Sequence, residues 1–267
     1  MSNILDKIFS ARKEDVESDQ RKTPLTDLKG KAGDAPPALD APGALNQKGK
    51  TRIISEIKLR TPFKGTLREG IEPQDIAGIY ENGGAASISV LTENRHFGGS
   101  VEIFSQVREA VNIPLLRKDF IFSEYQVYEA RAMGADWFLL IATWLDKSQM
   151  SDLAELGREL GMNALIETHN EADLEKAFHT GARILGINNR DLGSGKTDLD
   201  ISRRLIPMAL QEEGKILVCE SGIHGRKEIE EFEAMGAHAF LIGESLMTAP
   251  DISSKLQELL NDDWTLR

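Results

Sequence analysis

Charged and amide side chains gather where short apolar runs end. Glu56 and Lys58 close the run 52–57, with Arg60 and Lys64 just behind. Arg117, Lys118 and Asp119 follow 113–117, and Glu167 and His169 follow 163–167. Asn188, Asn189, Arg190 and Asp191 follow 184–188, while Glu220 ends 216–220. Lysines beside carboxylates are the raw material of general acid–base catalysis on an anion. Glu56 and Lys58 are two apart, so on a strand both point to one face. If that face is interior, the charges are costly without partners. The plain alternative is a structural ion pair or an outward-facing charged edge. Charged or amide groups at five run ends favour a converging site.

A second signal comes from small residues. Ser221-Gly222 follows the seventh run, and Gly243-Glu244-Ser245 follows the eighth, 239–243. Glycine lets a phosphate approach backbone N–H groups, and barrels often hold phosphate at these two strand ends. The bland reading is two ordinary tight turns.

These residues need a scaffold that brings strand ends together. Eight apolar, β-branched runs recur at 52–57, 85–91, 113–117, 137–142, 163–167, 184–188, 216–220 and 239–243. Each is followed by a helix-period segment, such as 101–110, 150–160 and 227–235. That rhythm predicts an α/β protein with parallel strands and right-handed crossovers. Gly83-Gly84-Ala85, Gly134-Ala135, Gly181-Ala182 and Gly236-Ala237 each precede a strand, the second, fourth, sixth and eighth. Glycine there accepts the left-handed backbone that stops a helix. Strand count and rhythm predict a closed (β/α)8 barrel rather than an open doubly wound sheet, which needs a glycine-rich first turn. Residues 4–18 read as an amphipathic helix with Ile4, Leu5, Ile8, Phe9 and Val16 near one face. Residues 33–50, rich in Ala, Pro and Gly, read as an ordered or semi-ordered loop. The expected organisation is an N-terminal extension over 1–50 and a barrel over 51–267, one domain overall.

Composition fits a soluble globular protein. The chain has 267 residues, 40% hydrophobic and 28% charged, with a formal net charge of −11. That balance argues against a nucleic-acid binder, and no apolar run approaches the roughly 18 residues of a membrane span. One cysteine, Cys219, allows no internal disulfide, so a cytoplasmic location is expected. Cys219 sits in an apolar run and reads as a small hydrophobe, not a nucleophile. His96, His169, His179, His224 and His238 lack metal-ligand spacing. Trp137, Trp144 and Trp264 read as packing or surface residues.

The motifs together resemble the indole-3-glycerol phosphate synthase family. They are Glu56-x-Lys58 with Thr61-Pro62 and Gly65; Ser89 to Glu93 with Phe97 and Gly99-Ser100; and Leu116 to Ile121. Leu165-Ile166-Glu167, Gly186 to Leu192, Glu220 to Ile223 and Leu241 to Met247 complete them, in order, from about residue 4 to 250. The resemblance implies a TIM barrel and a tryptophan-biosynthesis step. In it, 1-(2-carboxyphenylamino)-1-deoxyribulose 5-phosphate becomes indole-3-glycerol phosphate, carbon dioxide and water, with no cofactor and no metal. By the same resemblance Lys118 is the general acid, Glu167 the base and Lys58 a second acid. Glu56 orients the lysines, and Asn188 and Arg190 position the substrate, Arg190 at its carboxylate. Ser221, Gly222, Gly243 and Glu244 hold the phosphate, Glu244 through its backbone. Association with other tryptophan-pathway enzymes is also implied.

Ring closure on a carbonyl needs a proton donor, and later steps lose carboxylate, hydroxide and a ring-side proton, so two acids and a base are the minimum set. Arg117 and Lys58 nearby are expected to lower the pKa of Lys118. Phe97, Phe120, Leu91 and Leu139 are candidates to clasp the aryl ring, or else plain core. The family usually has Ser-Pro-Ser where this chain has Thr61-Pro62-Phe63, so loop motion and ring contacts are what Phe63 should alter. Rival readings are another phosphate-binding barrel isomerase, a Schiff-base aldolase with Lys118 as nucleophile, and a catalytically silent anion-binding barrel.

Overall fold

The computed structural model describes residues 4–191 and 193–260, without the side chain of Leu5. Leu192, Trp264 and the place of Leu5 on the first helix therefore lie outside the described residues.

Eight parallel strands close into a barrel, each bonded to the next and the last to the first. They are β1 (Ile53–Ile57), β2 (Ser87–Leu91), β3 (Leu115–Lys118) and β4 (Trp137–Ile141), then β5 (Asn163–Thr168), β6 (Ile184–Asn188), β7 (Ile216–Glu220) and β8 (Ala239–Ile242). Every run read as a strand is one. Side chains alternate across each strand, and the two faces bury different things. Ile54, Leu116, Trp137, Leu139, Leu165, Ile184, Val218 and Leu241 fill the interior. Ile53, Ile88, Val90, Leu115, Phe138, Leu140, Ile187 and Phe240 pack against the surrounding helices. The four glycines before even-numbered strands work as expected. Gly84, Gly134, Gly181 and Gly236 have φ of 90°, 85°, 68° and 108°. Ala85, Ala135 and Ala237 then donate to the carbonyls of Tyr80, Ala130 and Phe232, closing the helix ends.

The N-terminal extension is more ordered than its composition indicates. Helix α1 runs Ile4–Lys22, past the expected end at 18, and α2 covers Leu25–Asp34. The stretch read as a loop contains α3, Ala41–Leu45, begun by an Asp40 cap on the Gly43 N–H at 3.0 Å. Pro42 in its first turn suits a helix start, where its missing N–H costs nothing. Ala41 and Leu45 are buried among the interior residues. Leu39 N–H donates to Asp136 at 2.7 Å, one residue before β4, so α3 closes the N-terminal end of the barrel. At the other end, Ile8 of α1 reaches the cavity. Val16 and Leu28 pack with Tyr125 on the barrel flank. A two-residue hairpin, Arg60–Thr61 with Gly65–Thr66, stiffens the loop after β1.

The single-residue expectations follow the same packing. Cys219 is buried on the helix-facing side, its thiol pushed up to about 12 by burial, which removes thiolate character. Trp137 donates to Ser87 Oγ at 3.1 Å inside the barrel. Trp144 lies against Phe9, ring centroids 4.2 Å apart. No described helix is long and apolar enough to cross a membrane.

Candidate active site

A cavity opens at the C-terminal mouth of the barrel and collects residues from all eight strands and their following loops. At its base Lys118, the last residue of β3, points inward. Its Nζ lies 2.7 Å from Glu167 Oε2 and 2.8 Å from Glu220 Oε2. Glu220 ends β7 and fits because Gly186 on β6 has no side chain; a Cβ there would fall 2.2 Å from Glu220 Oε1. That oxygen is buried and accepts no hydrogen bond among the described residues.

The three groups set each other's ionisation. Burial alone would depress Lys118, but Glu167, Glu220 and Glu56 outweigh it and raise its pKa. Burial raises Glu167, yet Lys118 and His169 prevail and hold it well below the usual carboxylate range. For Glu220, burial dominates and the Glu167 charge adds to it, so the carboxyl rises to about 7 despite Lys118. One ammonium does not offset two buried carboxylates, and the strain falls on Glu220. The expected lowering of Lys118 by Arg117 is therefore overturned. Adjacent strand residues face opposite ways, and Arg117 turns outward. It binds Asp119 Oδ2 at 2.9 Å, Glu129 at 2.5 Å and the Gln126 carbonyl at 2.7 Å.

Lys58 and Glu56 form the second charged pair, both facing inward as their spacing requires, with Lys58 bonded to Glu56 Oε1. Gly243 makes room here as Gly186 does for Glu220: a Cβ would fall 2.3 Å from Glu56 Oε1. Asn188, at the end of β6, hydrogen-bonds Glu167 and accepts from the Arg190 N–H at 3.0 Å.

Towards the mouth, Arg190 reaches Glu244 Oε2 at 3.1 Å, and Lys64 bonds the other oxygen of the same carboxylate. Loops after β1, β6 and β8 are thus tied together. Ser221 has φ of 64°, an unusual conformation for a non-glycine residue, and Gly222 follows at 79°. Asn189 holds that turn, donating to the carbonyls of Ser221 at 3.1 Å and Glu220 at 3.2 Å. An apolar wall completes the cavity. Phe97 and Phe120 lie 6.1 Å apart by ring centroid, joined by Leu91, Leu139, Ile141 and Ile8. Phe63, 44% exposed, lies at the rim against Gly195.

All the residues singled out as site candidates line this cavity: Glu56, Lys58, Phe97, Lys118, Phe120, Glu167, Asn188, Arg190, Ser221, Gly222, Gly243 and Glu244. Three others stand among the polar run ends of the sequence but were given no role there. Glu220 was visible as a carboxylate ending a strand, the same signal as Glu167, but was not singled out. His169 was grouped with histidines of no special spacing, yet its Nε2 lies 3.4 Å from Glu167 Oε1. Asp119, just after β3, is held by Arg12 of α1 at 2.9 Å and 2.7 Å; nothing local in sequence joins those two.

A family model described as indole-3-glycerol phosphate synthase matches residues 5–259. The indole-3-glycerol phosphate synthase of Carboxydothermus hydrogenoformans is 42% identical over 264 residues, covering 96% of this chain and 99% of the relative. That of Dehalococcoides mccartyi strain CBDB1 is 44% identical over 262 residues, covering 96% and 100%. Among solved structures, 3-hexulose-6-phosphate synthase from Salmonella typhimurium superposes with a TM-score of 0.62. It shares 12% identity, over 78% of this chain and 96% of that one, a likeness of fold alone.

Proposed function

The chain belongs to the indole-3-glycerol phosphate synthase family, and from that premise we propose how its own residues divide the reaction. The activity is ring closure, decarboxylation and dehydration of 1-(2-carboxyphenylamino)-1-deoxyribulose 5-phosphate to indole-3-glycerol phosphate by general acid–base catalysis. Lys118 protonates the substrate carbonyl oxygen as the aryl carbon attacks. Carbon dioxide then leaves, and its bonding pair restores the ring. Lys58 protonates the departing hydroxyl, and Glu167 removes the ring-side proton. Glu56 orients the lysines. Asn188 and Arg190 position the substrate, with Arg190 at the aryl carboxylate, and Phe97 and Phe120 flank the ring. Ser221, Gly222, Gly243 and Glu244 hold the phosphate. The Glu244 carboxylate is already engaged by Lys64 and Arg190 and would repel an anion, so Glu244 serves through its backbone N–H.

The observation that carries this reading is the Lys118 ammonium between Glu167 and Glu220. An acid and a base in contact can exchange the proton that successive steps need moved in opposite directions. The same contact disfavours a Schiff-base aldolase, because the nucleophile there must be a neutral amine and both carboxylates keep Lys118 charged. The reading extends to a cytoplasmic location and to association with other tryptophan-pathway enzymes. The test is turnover of the carboxyphenylamino-deoxyribulose phosphate, followed by indole absorbance, in wild type and Lys118→Met. A wild type without turnover, or a Lys118→Met variant that retains it, contradicts the reading.

A further inference from the structure

We propose that Asn189 is a positioning residue for the substrate phosphate: its buried amide holds Ser221 and Gly222 in the left-handed turn that presents backbone N–H groups to that anion. The inference rests on the reading of Ser221 and Gly222 as phosphate ligands. Asn189 is fully buried and does not line the cavity, so it acts on the substrate only through its neighbours.

The turn needs a support. Ser221 has φ of 64° and Gly222 follows at 79°. Glycine takes a positive φ freely, but the Cβ of a serine crowds the backbone there. Ser221 is the one non-glycine residue with positive φ among the described residues. Released, it would fall back to negative φ and turn the Ser221–Gly222 peptide away. A phosphate site made of backbone N–H groups depends on that peptide keeping its direction.

The Asn189 amide grips this peptide. Its Nδ2 donates to the Ser221 carbonyl at 3.1 Å and to the Glu220 carbonyl at 3.2 Å. Its Oδ1 accepts from the Ser202 N–H at 3.0 Å, in the first turn of helix Asp200–Ala209. Two acceptors for the nitrogen and one donor for the oxygen fix which way the amide faces. The Ser221 carbonyl and the Gly222 N–H belong to one trans peptide and point in opposite directions. Holding the carbonyl against buried Asn189 therefore aims the N–H away from it, and Gly222 lines the cavity.

The same residue closes on Gly222 from a second side. The Asn189 carbonyl accepts from the Asp198 N–H at 2.8 Å. The residues on either side of Asp198 pack on Gly222, where a Cβ would fall 2.6 Å from Thr197 Cγ2 and 2.8 Å from Leu199 Cδ2. Three consecutive residues thus serve three parts of the site. Asn188 bonds the base Glu167, Asn189 holds the phosphate turn, and Arg190 meets the aryl carboxylate.

The test uses Asn189→Ala, which keeps the backbone N–H bond to the Glu220 carbonyl at 2.9 Å. Asn189→Leu keeps the side-chain volume as well and is read by the same criteria where alanine fails to fold. Circular dichroism checks folding. Three quantities are measured: KM, the single-turnover rate at saturating substrate, and inhibition by 1-(2-carboxyphenylamino)-1-deoxyribulose. That competitor keeps the carboxylate and lacks the phosphate. KM should rise about tenfold, as when the competent turn is populated about a tenth of the time. The competitor should bind within about twofold of wild type, and the saturated rate should stay within about threefold, because acid and base are untouched. In a Ser221→Gly background the turn forms unaided, so adding Asn189→Ala should raise KM by only about threefold or less.

A KM within about twofold of wild type overturns the inference. So does an equal loss of affinity for substrate and competitor, or the same tenfold rise in the Ser221→Gly background. Gly222→Ala separates this from the reading beneath it, because its methyl has no room beside Thr197 and Leu199 and disturbs the turn directly. If Gly222→Ala keeps the wild-type preference for the phosphorylated ligand, the phosphate lies elsewhere and that reading falls. If Gly222→Ala loses the preference while Asn189→Ala keeps it, only the role of Asn189 falls.

Discussion

Lys118 and Glu167 meet inside the barrel at 2.7 Å although a whole strand, β4, separates the strands that carry them. The curvature of a closed sheet makes the meeting possible, because inward side chains of alternate strands share a layer. Lys58 has a hydrogen-bond partner of its own, Glu56. Two lysines in two electrostatic settings suit two different proton donations. Lys118→Met should abolish closure, lowering the single-turnover rate about a thousandfold, within the span of roughly 10²–10⁴ for one general acid. Lys58→Met should allow closure and decarboxylation and stall before water is lost. Quench-flow with substrate labelled at the carboxylate separates them. Labelled carbon dioxide from Lys118→Met but none from Lys58→Met reverses the assignment.

Glu220 carries the unfavourable half of the Lys118 arrangement, and stability should report it. Its folded pKa, about 7, is raised above the ordinary value of 4.5, chiefly by burial. The folded state therefore binds more protons than the unfolded chain between those two values, so this group's contribution to stability falls as pH rises through the window. Glu220→Gln removes the titration while keeping the shape. Its melting temperature should exceed that of wild type at pH 8 by a few degrees, and the gap should close near pH 5. Thermal melts across pH decide this; equal pH dependence in both proteins contradicts it.

Much of this site could be read from the chain because strands have a period of two. Glu56 with Lys58, and Lys118 with Phe120, fall on one face wherever that face points, and eight apolar runs required a closed sheet. The alternation also placed Arg117 opposite Lys118, an inference available but not drawn, and hence the wrong sign for the lysine. What could not be read were pairings set by closure. Glu220 and Lys118 are 102 residues apart, and Arg12 and Asp119 are 107 apart. Helix α2 was missed because Gly30 and Gly33 weaken its local propensity. Its support comes from Leu28 packing on Tyr125, a tertiary contact.

Gly186 offers a steric test of the same carboxylate. Its φ lies outside the left-handed region, so alanine is compatible with the backbone, and only the niche changes. The new methyl would sit 2.2 Å from Glu220 Oε1 and 3.3 Å from Leu165 Cδ1. Gly186→Ala should cost about 1–3 kcal/mol in stability by overpacking and should lower the rate by pushing Glu220 off Lys118. In Gly186→Ala with Glu220→Ala, the methyl meets no carboxylate. The double variant should then be more stable than the sum of the two single changes predicts. Simple additivity in denaturant melts would mean that the methyl does not meet Glu220.

Phe63 should control the mouth rather than the chemistry. The Thr61 hydroxyl accepts from the N–H groups of Phe63 and Lys64 at 3.2 Å and 3.0 Å, fixing the turn that presents the ring. The ring leans on Gly195, where a Cβ would come within 2.8 Å of it, and Arg190 donates to the Gly195 carbonyl at 3.4 Å. Beside it, Lys64 bonds Glu244. The loops after β1, β6 and β8 are therefore latched by one ring contact and one set of ion pairs. The Lys64 end of that set is exposed, and a pair of that kind contributes about 0–1 kcal/mol. Phe63→Ser removes the ring contact and leaves Lys118, Glu167 and Lys58 untouched. Single-turnover rates should stay within about twofold of wild type, while product release quickens, as expected when a loop gates exit. Steady-state kcat should then rise and lose its dependence on solvent viscosity wherever release limits wild type. Collapse of the single-turnover rate would instead mean that the ring positions the substrate for closure.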